Sequence, residues 1–283
     1  MSEVTVIGGG IIGVCCALSL QRQGIGTTLI ERGDVGGEAT LGNCALMARS
    51  EIVPLSKPGV MKKLPGWILD SEGPLAVRPG HLPTAIPWLL KFLRNARADR
   101  VAQICHGLGE IAKLAQDDFD NVIEAANIKD IWAENEVLYL YDSKSQYDAD
   151  TFSWNLREAE GCFVTPLNKY ELRDLEPDVK TDEKFGVIAN GWKSFTNPQR
   201  LTKELANFFV ASGGQIIAQD VARITMLNGR ADQVKFENGE TLKLDKLVVA
   251  AGCWAGRLLS DMGIRIPLAP LHGYHTDLPD SGV

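Results

Sequence analysis

The sequence predicts an α/β protein in which a parallel sheet, discontinuous along the chain, carries an inserted α+β domain with a mostly antiparallel sheet. Three observations predict it. The chain opens with a strand, a glycine-rich turn and a helix in direct succession, "VTVIGGGIIGVCCALSL" at residues 4–20. A second buried strand ending in small residues, "DKLVVAAGCWAG", comes only near the far end. The stretch between them has a different texture, with Gly- and Pro-rich loops and longer amphipathic helices. The implied boundaries are 1–50 with 197–262 for the sheet domain, and 51–196 with 263–283 for the insertion.

Val4, Val6 and Ile7 have the β-branched composition of a strand buried on both faces. The run Gly8-Gly9-Gly10-Ile11-Ile12-Gly13 fits G-x-G-x-x-G through Gly8, Gly10 and Gly13. Apolar residues are dense from Ile11 to Gln23, as in a helix packed on a sheet, and Gly24 stops it. "TTLIE" is the next strand. Residues 31–67, rich in Gly and Pro, are low in periodicity and read as loop punctuated by short elements; a long irregular stretch of this kind usually carries function. Residues 83–98 predict a short amphipathic helix. Over 100–126, Ile104, Leu108, Ile111, Ala115, Phe119 and Val122 keep helical spacing. "EVLYLY" (136–141) reads as a strand, "DADTFSWNLREAEG" as a helix ended by Gly161, and "KFGVIAN" (184–190) as a strand. Asn197-Pro198 opens another helix, followed by the strand "QIIAQ". A meander of short strands then turns at Asn228-Gly229 and Asn238-Gly239. Leu247–Ala250 closes the series, running into Ala251-Gly252, where small residues let backbone approach a ligand.

Placed between a strand and a helix, the glycine pattern is a Rossmann-like dinucleotide fingerprint. Gly8 permits the tight turn, Gly10 clears a path for a pyrophosphate, and Gly13 lets helix and strand close up. The helix N-terminus then offers unpaired N–H groups and partial positive charge to a phosphate. Glu31 stands at about the twenty-residue interval expected of a carboxylate holding ribose hydroxyls. An acid there disfavours a 2′-phosphate, and so NADP. The pattern therefore predicts an ADP moiety and leaves open what it carries.

Composition narrows the class. A chain of 283 residues is long enough for about two domains, and 45% hydrophobic content is ordinary for a globular protein. A net charge of −7 argues against a nucleic-acid partner. Six cysteines show neither C-x-x-C nor zinc spacing, which favours a reducing, cytoplasmic setting. No metal site is expected: only His272 and His275 lie close in sequence. No signal peptide and no membrane span are predicted. Neither G-x-S-x-G nor a Cys–His signature is present. In residues 86–100, Trp88, Leu90 and Phe92 adjoin Lys91, Arg94, Arg97 and Arg100, a pattern that suits peripheral contact with anionic lipid on the cytoplasmic face as well as a core-packed helix with a solvated basic end.

Beyond the fingerprint, "ERGD", "EATLGNCA", "GPLAVRPG", "LEP", "NPQRLTKELA" and "LVVAAGCWA" resemble the FAD-dependent D-amino-acid dehydrogenases, within the D-amino-acid oxidase and glycine oxidase-like flavoproteins. The resemblance runs from Glu3 to about Tyr274. It implies FAD, with Gly8, Gly10, Ile11, Ile12 and Gly13 on the pyrophosphate, Glu31 on the adenosine ribose and Arg32 beside it. Thr40, Asn43 and Cys44 match the loop under the ribityl chain and flavin, though Thr40 and Asn43 also read as turn residues. Val221 matches the position whose backbone meets the adenine. Ala251, Gly252 and Trp254 match the strand end near the pyrophosphate, though Trp254 also reads as core. The loop departs from the family at Ala45, where a glycine is common.

The implied activity is oxidative deamination of D-amino acids to 2-oxo acids and ammonia, electrons passing to a quinone or other non-oxygen acceptor. Family chains run well past the last residue here, so the resemblance implies that the segment completing the flavin pocket is missing. That segment often supplies the arginine for the substrate carboxylate. The catalytic residues are unassigned, with His272 and Tyr274 as candidates bordering the pocket. Two alternatives stay open: an oxidase of glycine, sarcosine or a cyclic imino acid, and a truncated non-catalytic nucleotide-binding protein.

Overall fold

In the computed structural model the described residues are 3–60, 82–178 and 184–268, together with 66, 80, 270, 273 and 274. Most of "GPLAVRPG", and His272, lie outside them. The chain divides into two units. The first comprises Met1–Leu46, Val122–Ala133 and Phe195–Val283, the second Met47–Asn121 and Glu134–Ser194. The first unit thus takes in 122–133 and the tail after 262, which the sequence reading placed in the insertion.

The first unit is built on four parallel strands in the order β11-β1-β2-β7. These are β1 (Glu3–Ile7), β2 (Gly26–Glu31), β7 (Gln215–Ala218) and β11 (Lys246–Val249). In register, Val6 sits beside Leu29 of β2 and Val248 of β11. Both faces of β1 are covered: Val4, Val6 and Ile7 are buried, and so is Thr5 between them. Helix α1 (Ile11–Arg22) follows β1 and buries Val14, Ala17 and Leu18. Past its end, Gly24 takes φ +77° and the Ile25 N–H returns to the Leu20 carbonyl at 3.1 Å. Helix α7 (Pro198–Ala211) has the expected start, Asn197 Oδ1 accepting the Arg200 N–H at 2.8 Å. Leu201, Leu205 and Phe209 point inward from it, and Gln21 of α1 donates to the Ser212 carbonyl at 2.9 Å.

Three antiparallel strands, β8 (Val221–Leu227), β9 (Arg230–Phe236) and β10 (Thr241–Lys243), form a second sheet in the order β10-β9-β8. Asn228 and Gly229 turn the first hairpin with φ +50° and +76°, as a two-residue Asn-Gly loop should. Val221, Ile224, Val234 and Phe236 pack with Ile7, Ile30 and Leu258 in one core cluster. Short α8 (Ala255–Ser260) follows β11.

In the second unit, β6 (Phe185–Phe195) lies between β4 (Trp132–Tyr141) and the two-residue β3 (Leu46–Met47), and pairs antiparallel with β5 (Val164–Leu167). Its helices are α2 (Leu82–Arg94), α3 (Ala98–Ala125, of which the residues from Val122 on fall in the first unit), α4 (Lys144–Ala149), α5 (Thr151–Ala159) and α6 (Lys169–Leu175). Val101 and Cys105 of α3 close over Ile52. Buried Ser50 accepts the indole N–H of Trp192 at 3.0 Å, and its carbonyl accepts Arg157 Nε at 2.9 Å. The α2 helix leaves Ile86, Trp88 and Leu90 exposed, while Arg97, just after it, meets Asp99 at 3.1 Å. Among the described residues no helix is long and apolar enough to cross a membrane.

Candidate functional site

The site begins where β1 ends. Gly8 takes φ +113°, and a Cβ on it would stand 2.5 Å from the Ala250 carbonyl oxygen. Only glycine lets the chain turn there against β11. A Cβ on Gly13 would lie 1.8 Å from the Gly8 carbonyl oxygen, so α1 sits directly on the turn. Gly10 differs. Its Cβ position meets only Thr40 Oγ1, at 3.7 Å, and otherwise opens into a cleft of about 280 Å³. That volume lies near the lower end for small-molecule sites.

Helix α1 enters this cleft without a side-chain cap and without an acid in its first turn. No acid of the helix itself offsets the positive end of its dipole, and the first N–H groups have no acceptor within the helix. The Ile11 N–H reaches Thr40 Oγ1 at a long 3.4 Å. An anion of diphosphate type suits that donor set.

Glu31 ends β2 with its carboxylate on backbone. Oε2 accepts the Gly9 N–H at 2.6 Å and Oε1 the Gly33 N–H at 2.9 Å. A Cβ on Gly9 would sit 2.8 Å from Glu31 Cβ and Cγ. The unnamed "x" of G-x-G is thus a glycine here because the acid packs on it. Arg32 stacks over the Trp254 ring at 4.4 Å, and its Nη2 donates to Glu38 at 2.9 Å. Trp254 is 39% exposed, so it is a wall of the cleft more than core.

Of the residues named from sequence, the structure gathers twelve around this cleft. They are Gly8, Gly10, Ile11, Ile12, Glu31 and Arg32, then Thr40, Asn43, Val221, Ala251, Gly252 and Trp254. Gly13 acts from behind, as packing. Cys44 is exposed and not part of the lining. Tyr274 is 93% exposed and also outside it. Ala45 takes φ +55°, so the left-handed geometry a glycine would favour is kept by an alanine.

Sequence reasoning missed Glu38, Gln219, Asp220 and Arg257, which also line the cleft. Arg257 offers a cation there, one helical turn after Trp254. Its signal was its place at the start of a helix after a small-residue strand end. Sequence spacing also missed a cluster in the second unit, where ligand atoms of His106, Glu110 and Glu160 lie within 4.8 Å of one another. The Lys113 ammonium already stands 2.9 Å from each of the two carboxylates, so the group is an ion-pair network.

The chain is 32% identical over 285 residues to a protein of Bradyrhizobium diazoefficiens named D-amino-acid oxidase, covering 99% of this chain and 67% of that one. It is 28% identical to D-amino acid dehydrogenase 2 of Pseudomonas aeruginosa, covering 98% of this chain and 66% of the relative. The chain thus spans about two thirds of the relatives it matches. Among solved structures, glycine oxidase from Bacillus cereus superposes with a TM-score of 0.58 at 19% identity, over 92% of this chain and 58% of that one. L-Amino acid deaminase from Proteus myxofaciens gives 0.64 at 17% identity, over 94% and 49%. At such identities these two speak to the fold. Residues 3–282 match the model described as FAD dependent oxidoreductase, and the chain belongs to that family.

Proposed function

We propose that this protein takes part in the FAD-dependent oxidative deamination of D-amino acids, passing electrons to a quinone or another acceptor in place of oxygen. The observation that carries the nucleotide part is the uncapped N-terminus of α1 facing the cleft, with Glu31 already aligned on the Gly9 and Gly33 N–H groups. When bound, FAD supplies the hydride acceptor that turns the amino acid into an imino acid, which water hydrolyses to 2-oxo acid and ammonia.

The residues present fit such a group. Gly10 leaves room for a diphosphate, and the first N–H groups of α1 would donate to it. Glu31 would accept from the ribose hydroxyls, its two oxygens being held in place by backbone donors. Trp254 and Arg32 would close the cleft wall beside the nucleotide. The substrate named is that of the relatives, one an oxidase and one a dehydrogenase of D-amino acids.

The purified protein should show flavin absorption, or gain it on titration with FAD, and Glu31→Ala should weaken FAD binding about tenfold or more, the cost of one lost charged hydrogen-bond acceptor. A protein that folds yet takes up no FAD refutes the reading. The relative named an oxidase favours oxygen as the alternative acceptor. Turnover of D- and L-alanine, in air and with an artificial dye, separates the two: dye-dependent loss of the D-isomer supports the dehydrogenase, and peroxide release in air the oxidase.

A further inference from the structure

Helix α3 has two apolar rows, and its own core covers one of them. Val101 and Cys105 face inward at 0% and 1% exposure, with Ala112 packed beside them. On the far side Arg100, Ile104, Gly107, Ile111, Leu114 and Asp118 follow at alternating steps of four and three, which keeps them in one row. Ile111 and Leu114 are 66% and 67% exposed. Arg100, Gly107 and Asp118 are exposed as well, and Ile104 half-buried.

This row matches its own reverse. From the N-terminal end it reads cation, aliphatic, glycine, and from the C-terminal end anion, aliphatic, aliphatic. Two antiparallel copies related by a two-fold axis midway between Gly107 and Ile111 would set Arg100 against Asp118, Ile104 against Leu114, and Gly107 against Ile111. Each pairing then occurs twice, as an isologous contact requires. The row is about 27 Å long at 1.5 Å per residue, enough for one helix-on-helix seam.

Gly107 is a second, independent observation. Glycine inside a helix destabilises it, and here nothing in its own chain demands one: among the described residues a Cβ at 107 meets no atom within 4 Å. Gly109 is different, because a Cβ there would stand 2.6 Å from Glu160 Oε2. A glycine facing open space in the middle of an apolar row is what close approach of another helix requires, with Ile111 of the second copy as the side chain that fills it.

We propose that this face of α3 is a self-association surface, on which a second copy of the chain packs antiparallel. The charges favour that occupant over an anionic membrane. Asp118 ends the row, and Glu110 and Asp117 flank it, so a lipid surface of like sign is repelled where an opposed Arg100 is attracted. Arg100 donates to Gln103 at 2.8 Å within one chain. The proposal stands independently of the cofactor reading.

Sedimentation velocity of the purified chain across micromolar to hundreds of micromolar concentration tests it. A monomer–dimer equilibrium is expected. Ile111→Glu, at an exposed position, should leave the circular dichroism unchanged and abolish the dimer. Gly107→Leu should raise the thermal stability of the chain through helix propensity while removing the dimer, a pair of opposite effects that a purely structural role does not give. Arg100→Asp should weaken association about fivefold, and adding Asp118→Arg should restore it. A chain monomeric at every concentration, a dimer that survives Ile111→Glu, or a double charge swap that fails to restore pairing overturns the proposal. So does co-sedimentation with phosphatidylglycerol vesicles that Ile111→Glu removes, since the face would then belong to lipid.

Discussion

Ala45 shows how far a single residue can sit from its preferred backbone. Its φ of +55° is held from both sides, the N–H donating to Asn43 Oδ1 at 2.8 Å and the carbonyl accepting the Phe195 N–H at 2.8 Å. A left-handed L-residue costs roughly 1–2 kcal/mol. Glycine removes that strain but adds unfolded-state freedom worth about 0.4–1 kcal/mol. Ala45→Gly should therefore stabilise the protein by up to about 1.6 kcal/mol, and Ala45→Val should destabilise it, because branching at Cβ makes the left-handed region worse. Urea unfolding of the three proteins measures both signs. If glycine and valine move the midpoint the same way, the backbone at 45 is not left-handed. Gly9 offers a parallel lesson: its missing side chain serves Glu31 as much as any phosphate.

At the scale of elements, α3 is tied to the end of α5 by one buried carboxylate. Glu160 accepts from Lys113 Nζ and faces His106 Nδ1, each at 2.9 Å. Hydrogen bonds from Lys113 and then His106 hold its carboxyl below the ordinary range, outweighing the upward push of burial. The folded form therefore releases this proton more readily than the unfolded one. Its contribution to stability is complete above the unfolded value, about 4.3 for glutamate, and is lost as the pH falls through the lower folded value. Glu160→Gln should cost stability at pH 6, and the difference from the parent should shrink as the pH falls toward 3. Denaturant midpoints between pH 3 and 7 decide it, and parallel pH slopes for the two proteins would rule the coupling out. The same helix shows a limit of sequence patterns. Helical spacing finds Ile104, Leu108, Ile111 and Ala115, yet Leu108 and Ile111 are exposed at 42% and 66%. The inward row instead uses smaller groups such as Cys105, Gly109 and Ala112, which bring α3 close to its neighbours. Periodicity reports an apolar row, and packing decides which row is covered.

Across the whole molecule, the legible parts were those whose local chemistry admits one conformation. Gly8, Gly10 and Gly13 between a β-branched run and a helix announced the turn, Asn197-Pro198 announced α7, and Asn228-Gly229 the hairpin. The rest depended on partners distant in sequence. Glu38 matters because it holds Arg32, Arg257 because α8 follows β11, and Ser50 because Trp192 and Arg157 converge on it. No local signal encodes those meetings. One consequence concerns the site as a unit. Every residue lining the cleft comes from 7–43 or 219–258, within a single unit of the chain. An ADP fragment should then bind without help from residues 47–121 or 134–194. A ligand present at one hundred times its dissociation constant adds about 2.7 kcal/mol to the form that binds it. Saturating ADP should accordingly slow amide hydrogen exchange in Gly8–Gly13, β2 and Ala250–Trp254 while leaving β5 and α6 unchanged. Adenosine 2′,5′-bisphosphate should protect far less than 5′-AMP, which carries the same single 5′-phosphate, because its 2′-phosphate meets the Glu31 carboxylate. Equal protection by the two nucleotides would show that Glu31 does not hold the ribose, and protection by FAD with none by ADP would remove the diphosphate from the N-terminus of α1.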